Sequence, residues 1–163
     1  MPLVTGASIQ QISSILLEML PQQKPFRFLD GIDEIDEGHI SGYYTYKQDE
    51  WFYRGHFPGN PITPGVVLVE TMAQCGVVAF GIYLQMLEDE KMQQQTTHQY
   101  VTLFTDVTAE FLRPVLPGQR VLMKGEKMMF RRRKLTSKVS MFTPEGQIIA
   151  TATLSGMGVK RDE

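Results

Sequence analysis

The sequence predicts an α+β fold in which an antiparallel sheet wraps around one long central helix. Three observations predict it. Residues Gly65 to Leu87 form an apolar stretch too long for a strand. Four strand-like segments follow, with turn signals at Pro117-Gly118 and Pro144-Glu145-Gly146. Two shorter strand candidates precede it. An element order of strands, one buried helix and more strands suits a sheet with one face on the helix. The edges of such a sheet need cover, so association between copies is expected.

The first element is an amphipathic helix in the 1–20 segment. Ile9, Ile12, Ile15, Leu16, Met19 and Leu20 recur at helical spacing, Ser8 is a natural N-cap, and Pro21 stops the run. Phe26 to Asp30 reads as a strand, and His39 to Tyr46 as another, with an acidic turn at Asp36-Glu37-Gly38 between them. A proline-rich loop leads to the central helix at 65–87. Leu87 to Thr97 is rich in Gln and Glu and reads as an exposed helix end and loop. The strands expected after it are Gln99–Phe111, Arg120–Phe130, Lys134–Phe142 and Gln147–Met157, in hairpin succession.

The 163 residues suit one domain, 1–163. A net charge of −2 gives no general attraction to nucleic acid or anionic lipid. The single cysteine, Cys75, rules out an intrachain disulfide and a Cys-rich metal site, and reads as a small core residue. The N-terminus lacks the basic-then-apolar pattern of a secretory signal, so a cytoplasmic protein is expected. Glu70, Gln74 and Gln85 interrupt the long apolar stretch, which argues against a membrane span.

Between Arg54 and Glu88 the chain carries one permanent charge, Glu70. Its neighbours Val66, Val69, Ala73 and Val77 should desolvate it and raise its pKa, making it an acid able to donate near neutral pH. Gln74, one turn on, shares its helix face and can hold the carboxyl; a buried amide serving the backbone is the other reading. Upstream lies His56, a candidate base, in a loop stiffened by Pro58, Pro61 and Pro64. Gly65 and Val66 open the helix, where free amides suit a developing oxyanion. The set fits proton abstraction beside a carbonyl, with acid help to a leaving group. The plain alternatives are a hydrogen-bonded loop histidine and a Glu70 paired with an Arg such as Arg113.

The segment Gly55-His56-Phe57-Pro58-Gly59-Asn60-Pro61-Ile62-Thr63-Pro64-Gly65, continuing through Glu70 to Gln74, closely resembles the signature of the 3-hydroxyacyl-(acyl carrier protein) dehydratases of fatty acid synthesis. Leu20 to Asp30 and Ala109 to Gly118 resemble further parts of that family. The resemblance implies a hot-dog fold. It implies dehydration of a 3-hydroxyacyl thioester to the trans-2-enoyl thioester, with His56 as base, Glu70 as acid and the Gly65 amide on the thioester oxygen. It implies a homodimer or larger assembly whose sites are shared between chains, and no cofactor or metal beyond the phosphopantetheine that carries the substrate. Glu rather than Asp at position 70 favours dehydration without double-bond isomerisation. Arg131, Arg132, Arg133 and Lys134 read first as a solvated turn, and more sharply as a landing patch for the acidic carrier protein. The N-terminal helix and the 87–97 segment depart from compact members and leave the acyl substrate open, including a specialised lipid or polyene. The rival readings are a hot-dog acyl-thioesterase and a non-catalytic acyl-binding subunit.

Overall fold

The computed structural model describes residues 3–162. Helix α1 spans Ile9–Met19 and starts in a capping box: Ser8 Oγ accepts from the Gln11 amide, and Gln11 Oε1 accepts from the Ser8 amide. It buries Ile12 and Leu16 and packs on strand β1, Gly31–Ile35. The turn to β2, His39–Thr45, is set by Asp36 Oδ1, which accepts from the Gly38 and His39 amides, each at 2.7 Å.

The strand expected over Phe26–Asp30 does not form there; β1 begins at Gly31. Phe28 and Leu29 are fully buried. The Phe28 amide and the Phe26 carbonyl are satisfied by the Gln74 side chain, not by a neighbouring strand. An apolar alternation thus served a connection that lies against the helix.

Helix α2 runs from Gly65 to Met92, through a π-helical turn at Gln74–Ala79. It is long and apolar enough to cross a membrane, but 67% of its most apolar window is buried inside the fold. It extends beyond the expected end at Leu87. The charges that suggested a loop there decorate one more helical turn, which ends at Gln93 in the left-handed conformation, φ 54°. The buried Asp89 then caps the following chain: its carboxylate accepts the amides and hydroxyls of Thr96 and Thr97. These bonds hold it at a pKa of about 2, against the opposing effect of burial.

Strands β3 (Tyr100–Phe111), β4 (Arg120–Arg131), β5 (Lys134–Phe142) and β6 (Ile148–Lys160) complete one antiparallel sheet of order β1-β2-β4-β5-β6-β3. The hairpin succession holds from β4 to β6 but fails for β3. That strand pairs with β6 at the sheet edge, so the chain crosses the sheet between Phe111 and Arg120. Val115 is buried in the crossing, and its carbonyl accepts the Thr63 amide.

The sheet curls on α2. Met72, Phe80 and Met86 of the helix and Met123, Val139 and Met141 of the sheet are fully buried. At the centre the helix backbone at Gly76 closes on the β4 backbone at Gly125 and on the Val139 side chain of β5. A Cβ on Gly76 would lie 2.3 Å from Val139 Cγ2, and one on Gly125 would lie 3.3 Å from the Gly76 Cα. Only glycine permits that approach.

Candidate active site

The loop before α2 is locked by its own hydrogen bonds. The Ile62 amide donates to the His56 carbonyl at 2.9 Å, and the Ile62 carbonyl lies 2.8 Å from His56 Nδ1. A carbonyl can only accept, so Nδ1 carries the proton and Nε2 keeps its lone pair. The Phe57 ring stacks on the imidazole, with centroids 4.0 Å apart. Tyr53 and Thr63 hydroxyls bond each other at 2.7 Å beneath the loop. The imidazole is therefore fixed in tautomer and direction before substrate arrives.

Pro64 caps α2, and its carbonyl takes the amides of Val67 and Leu68. The amides of Gly65 and Val66 are left at the helix tip, where the helix dipole favours negative charge. A Cβ on Gly65 would stand 3.2 Å from Phe111 Cζ, so the glycine keeps the tip close to β3. His56, Ile62, Gly65, Leu68, Phe111 and Arg113 line one open groove of about 370 Å³.

Glu70 is not in the wall of that groove. Its carboxyl accepts a 2.9 Å bond from Gln74 Nε2. Burial pushes its pKa above the ordinary glutamate range, and the Gln74 bond partly opposes this. Gln74 fills both roles considered for it: it steadies Glu70, and it satisfies the backbone of Phe26 and Phe28. The alternative partner Arg113 makes no ion pair with Glu70. So one chain brings together His56, Gly65 and the helix tip, and sets the Glu70–Gln74 pair apart from them.

The basic run does not form a uniform patch. Arg132 and Arg133 occupy the tight β4–β5 turn with positive φ, and the Arg133 guanidinium folds inward over the Tyr100 ring at 3.5 Å. Arg131 and Arg132 are exposed, and Lys134 is half-buried. Cys75 is buried, with its thiol pushed up to about 12. His39 sits in an exposed contact with Asp36. Among the described residues there is no cluster of three or more His, Cys, Asp or Glu able to hold a metal.

The sequence did not reveal the Ile62 carbonyl as the group that orients His56. A backbone acceptor leaves no trace in residue identity; the proline spacing around it was the available signal. Nor did it reveal the polar groups around Gln85 and Arg133 at the far end of α2.

A family model described as a FabA-like domain matches residues 20–153. The chain belongs to that family. A curated relative from Yersinia enterocolitica, the 3-hydroxyacyl-[acyl-carrier-protein] dehydratase FabZ, is 33% identical over 141 residues, covering 85% of this chain and 78% of the relative. Its counterpart from Yersinia pestis is also 33% identical, over 85% of this chain and 74% of its own. Among solved structures, the dehydratase heterocomplex ApeI:P from Xenorhabdus doucetiae aligns with a TM-score of 0.69 at 14% identity, covering 91% of each chain. A thioesterase from Haemophilus influenzae aligns with a TM-score of 0.61 at 14% identity, covering 96% of this chain and 94% of its own. At that identity the structures establish the hot-dog fold of this FabA-like chain, and the sequence relatives establish its family.

Proposed function

We propose that this protein dehydrates a 3-hydroxyacyl chain carried on acyl carrier protein to the trans-2-enoyl thioester. The observation that carries the reading is the His56 imidazole, held through Nδ1 by Ile62 with Nε2 free in the groove that ends at Gly65. His56 Nε2 takes the C2 proton of the substrate. The Gly65 amide, with Val66 beside it, stabilises the enolate-like oxygen. Glu70, whose pKa burial raises, gives a proton to the C3 hydroxyl as the C–O bond breaks, and water leaves. Proton return from His56 to Glu70 resets the site. The prosthetic arm belongs to the substrate, and no step calls on another cofactor.

Glu70 needs a His56 and helix tip that its own groove does not present to it. A second copy supplies them if two chains meet along β3. That edge exposes Leu103, Phe104, Val107 and Phe111, beside Val66 on the helix tip, an apolar strip of the kind that marks an interface. Each site of the homodimer then takes Glu70 from one chain and His56 from the other. Arg131 and Arg132 remain as the exposed part of a carrier-docking patch acting mainly on encounter rate.

The test is mass spectrometry of 3-hydroxyacyl carrier proteins incubated with the protein. Interconversion of hydroxyacyl and enoyl forms on an intact thioester supports the reading. Release of free thiol without enoyl product would replace it with the thioesterase reading.

A further inference from the structure

The loop that carries His56 is exposed along its outer stretch, from Phe57 to Pro61. Its hydrogen bonds are of two kinds. Those between Phe57 and Asn60, and those between His56 and Ile62, join the loop to itself. They give the loop its shape and aim the imidazole within it, but they leave open where the loop stands on the protein. Its place depends on bonds to what lies outside it. On the incoming side the His56 amide donates to the Phe52 carbonyl at 3.1 Å, in the short 3₁₀ turn Trp51–Arg54. On the outgoing side the anchor is Thr63.

Thr63 is buried and held twice. Its amide donates to the Val115 carbonyl at 2.8 Å, and its hydroxyl bonds the Tyr53 hydroxyl at 2.7 Å. Tyr53 is buried in the 3₁₀ turn, three residues before His56. Thr63 stands two residues before Gly65 and lines the same groove as His56 and Gly65. The hydroxyl pair therefore crosses the base of the loop, from the side that carries the imidazole to the side that carries the helix tip. Burial raises the Tyr53 pKa, so the phenol stays a neutral hydroxyl, and it limits the competition of solvent for the bond.

Removal of a C2 proton needs two groups at once. The base must reach the proton while the oxyanion donor reaches the thioester oxygen, and the substrate's own bonds fix how far apart those points are. A misplacement of about 1 Å between such groups can cost about a hundredfold in rate. Binding of the chain along the groove is less sensitive to that spacing.

We propose that the Tyr53–Thr63 hydroxyl pair sets the distance between His56 Nε2 and the Gly65 amide, which makes Tyr53 and Thr63 positioning residues for removal of the C2 proton. The inference rests on the dehydratase reading above. The competing account is that the pair only satisfies two buried hydroxyls. Loss of one hydroxyl does not separate the accounts, because the orphaned partner costs stability under both. Loss of both does: Tyr53→Phe with Thr63→Val keeps the shape and leaves neither hydroxyl orphaned, so stability returns while the link across the loop stays cut.

The experiment measures kcat and KM with 3-hydroxyacyl carrier protein, and Tm, for the parent, the two single variants, the double variant and Thr63→Ser. Both single variants should lose Tm and kcat. The double variant should regain Tm but keep a kcat roughly ten- to a hundredfold below the parent, with KM little changed. Thr63→Ser, which keeps the hydroxyl, should rescue kcat relative to Thr63→Val. A double variant whose kcat recovers together with its Tm overturns the inference and leaves the dehydratase reading standing. Equal kcat in Thr63→Ser and Thr63→Val overturns it as well, and that comparison decides the matter if the double variant does not fold. A parent that turns over no 3-hydroxyacyl carrier protein overturns the dehydratase reading and the inference with it.

Discussion

Gln74 holds Glu70 from one helical turn away, with Nε2 2.9 Å from the carboxyl oxygen, while its own carbonyl takes the Phe28 amide at 2.7 Å. A single amide thus couples the proposed acid to the loop entering the sheet. Burial raises the Glu70 pKa and this bond lowers it, and burial is the larger effect.

Glu70→Gln keeps the shape and the bond network but removes the proton donor. Turnover of 3-hydroxyacyl carrier protein should fall by about two to four decades, the scale of general acid–base loss, with substrate binding retained. Near-normal turnover would remove Glu70 from the mechanism.

The same variant tests the electrostatics. A carboxyl whose folded pKa is raised contributes stability below its unfolded value, near 4.5, and that contribution is lost as pH rises through the folded value. Glu70→Gln should therefore gain in Tm relative to the parent as pH climbs from 4.5 toward neutrality. A constant Tm difference across that range would show that the carboxyl is not desolvated.

Asp89 has the opposite sign. Its folded pKa of about 2 lies below the ordinary aspartate value of 3.8. Its contribution is present above 3.8 and is lost as pH falls through about 2. Asp89→Asn should lower Tm clearly at neutral pH, and the gap should narrow below 3.8. Denaturation scans of both proteins across this range check it.

Gln74→Leu leaves the Phe26 carbonyl and the Phe28 amide unpaired in a buried connection. It should cost about 2–4 kcal/mol in chemical denaturation. It should also move the acid-group inflection of the pH–rate profile upward, because the bond that lowers the Glu70 pKa is gone. A profile that stays in place would separate Gln74 from the catalytic carboxyl.

If sites are shared between chains, mixing two inactive proteins restores activity. His56→Ala and Glu70→Gln chains, unfolded and refolded together, should recover up to about a quarter of parental turnover, because statistical mixing places half the chains in mixed dimers with one intact site each. No recovery, with dimers present by light scattering, would place each site within one chain.

Much of this was legible in the sequence because it rests on local rules. Ser8 caps α1, Asp36 lies in the acidic turn, and the apolar length from Gly65 marks a buried helix. His56 and Glu70 stood out because a rigid loop and a lone charge are local anomalies. What the sequence hid was non-local. Phe26 to Asp30 alternates like a strand, yet the Phe28 amide and the Phe26 carbonyl bond to Gln74, more than forty places away. β3 reads like its neighbours, but its place at the edge beside β6 depends on a crossing that the turn signal Pro117-Gly118 does not distinguish from a hairpin. Leu87 to Thr97 read as an exposed helix end and loop, and the burial of Asp89 there was hidden because its partners Thr96 and Thr97 follow the helix. The separation of Glu70 from the His56 groove is likewise a fact of three dimensions, since the two residues are close along the chain.

The contact between Gly76 and Gly125 has a consequence for how the site is set. With only backbone between these two residues, the helix rests directly on β4 at this point, with no side chain there to compress. Gly76 acts as a depth stop. It fixes the height at which the whole rod sits, and so the bore of any passage along it and the standing position of Glu70 six residues away. A position with no functional group to lose thereby holds the calibration of the reaction chamber.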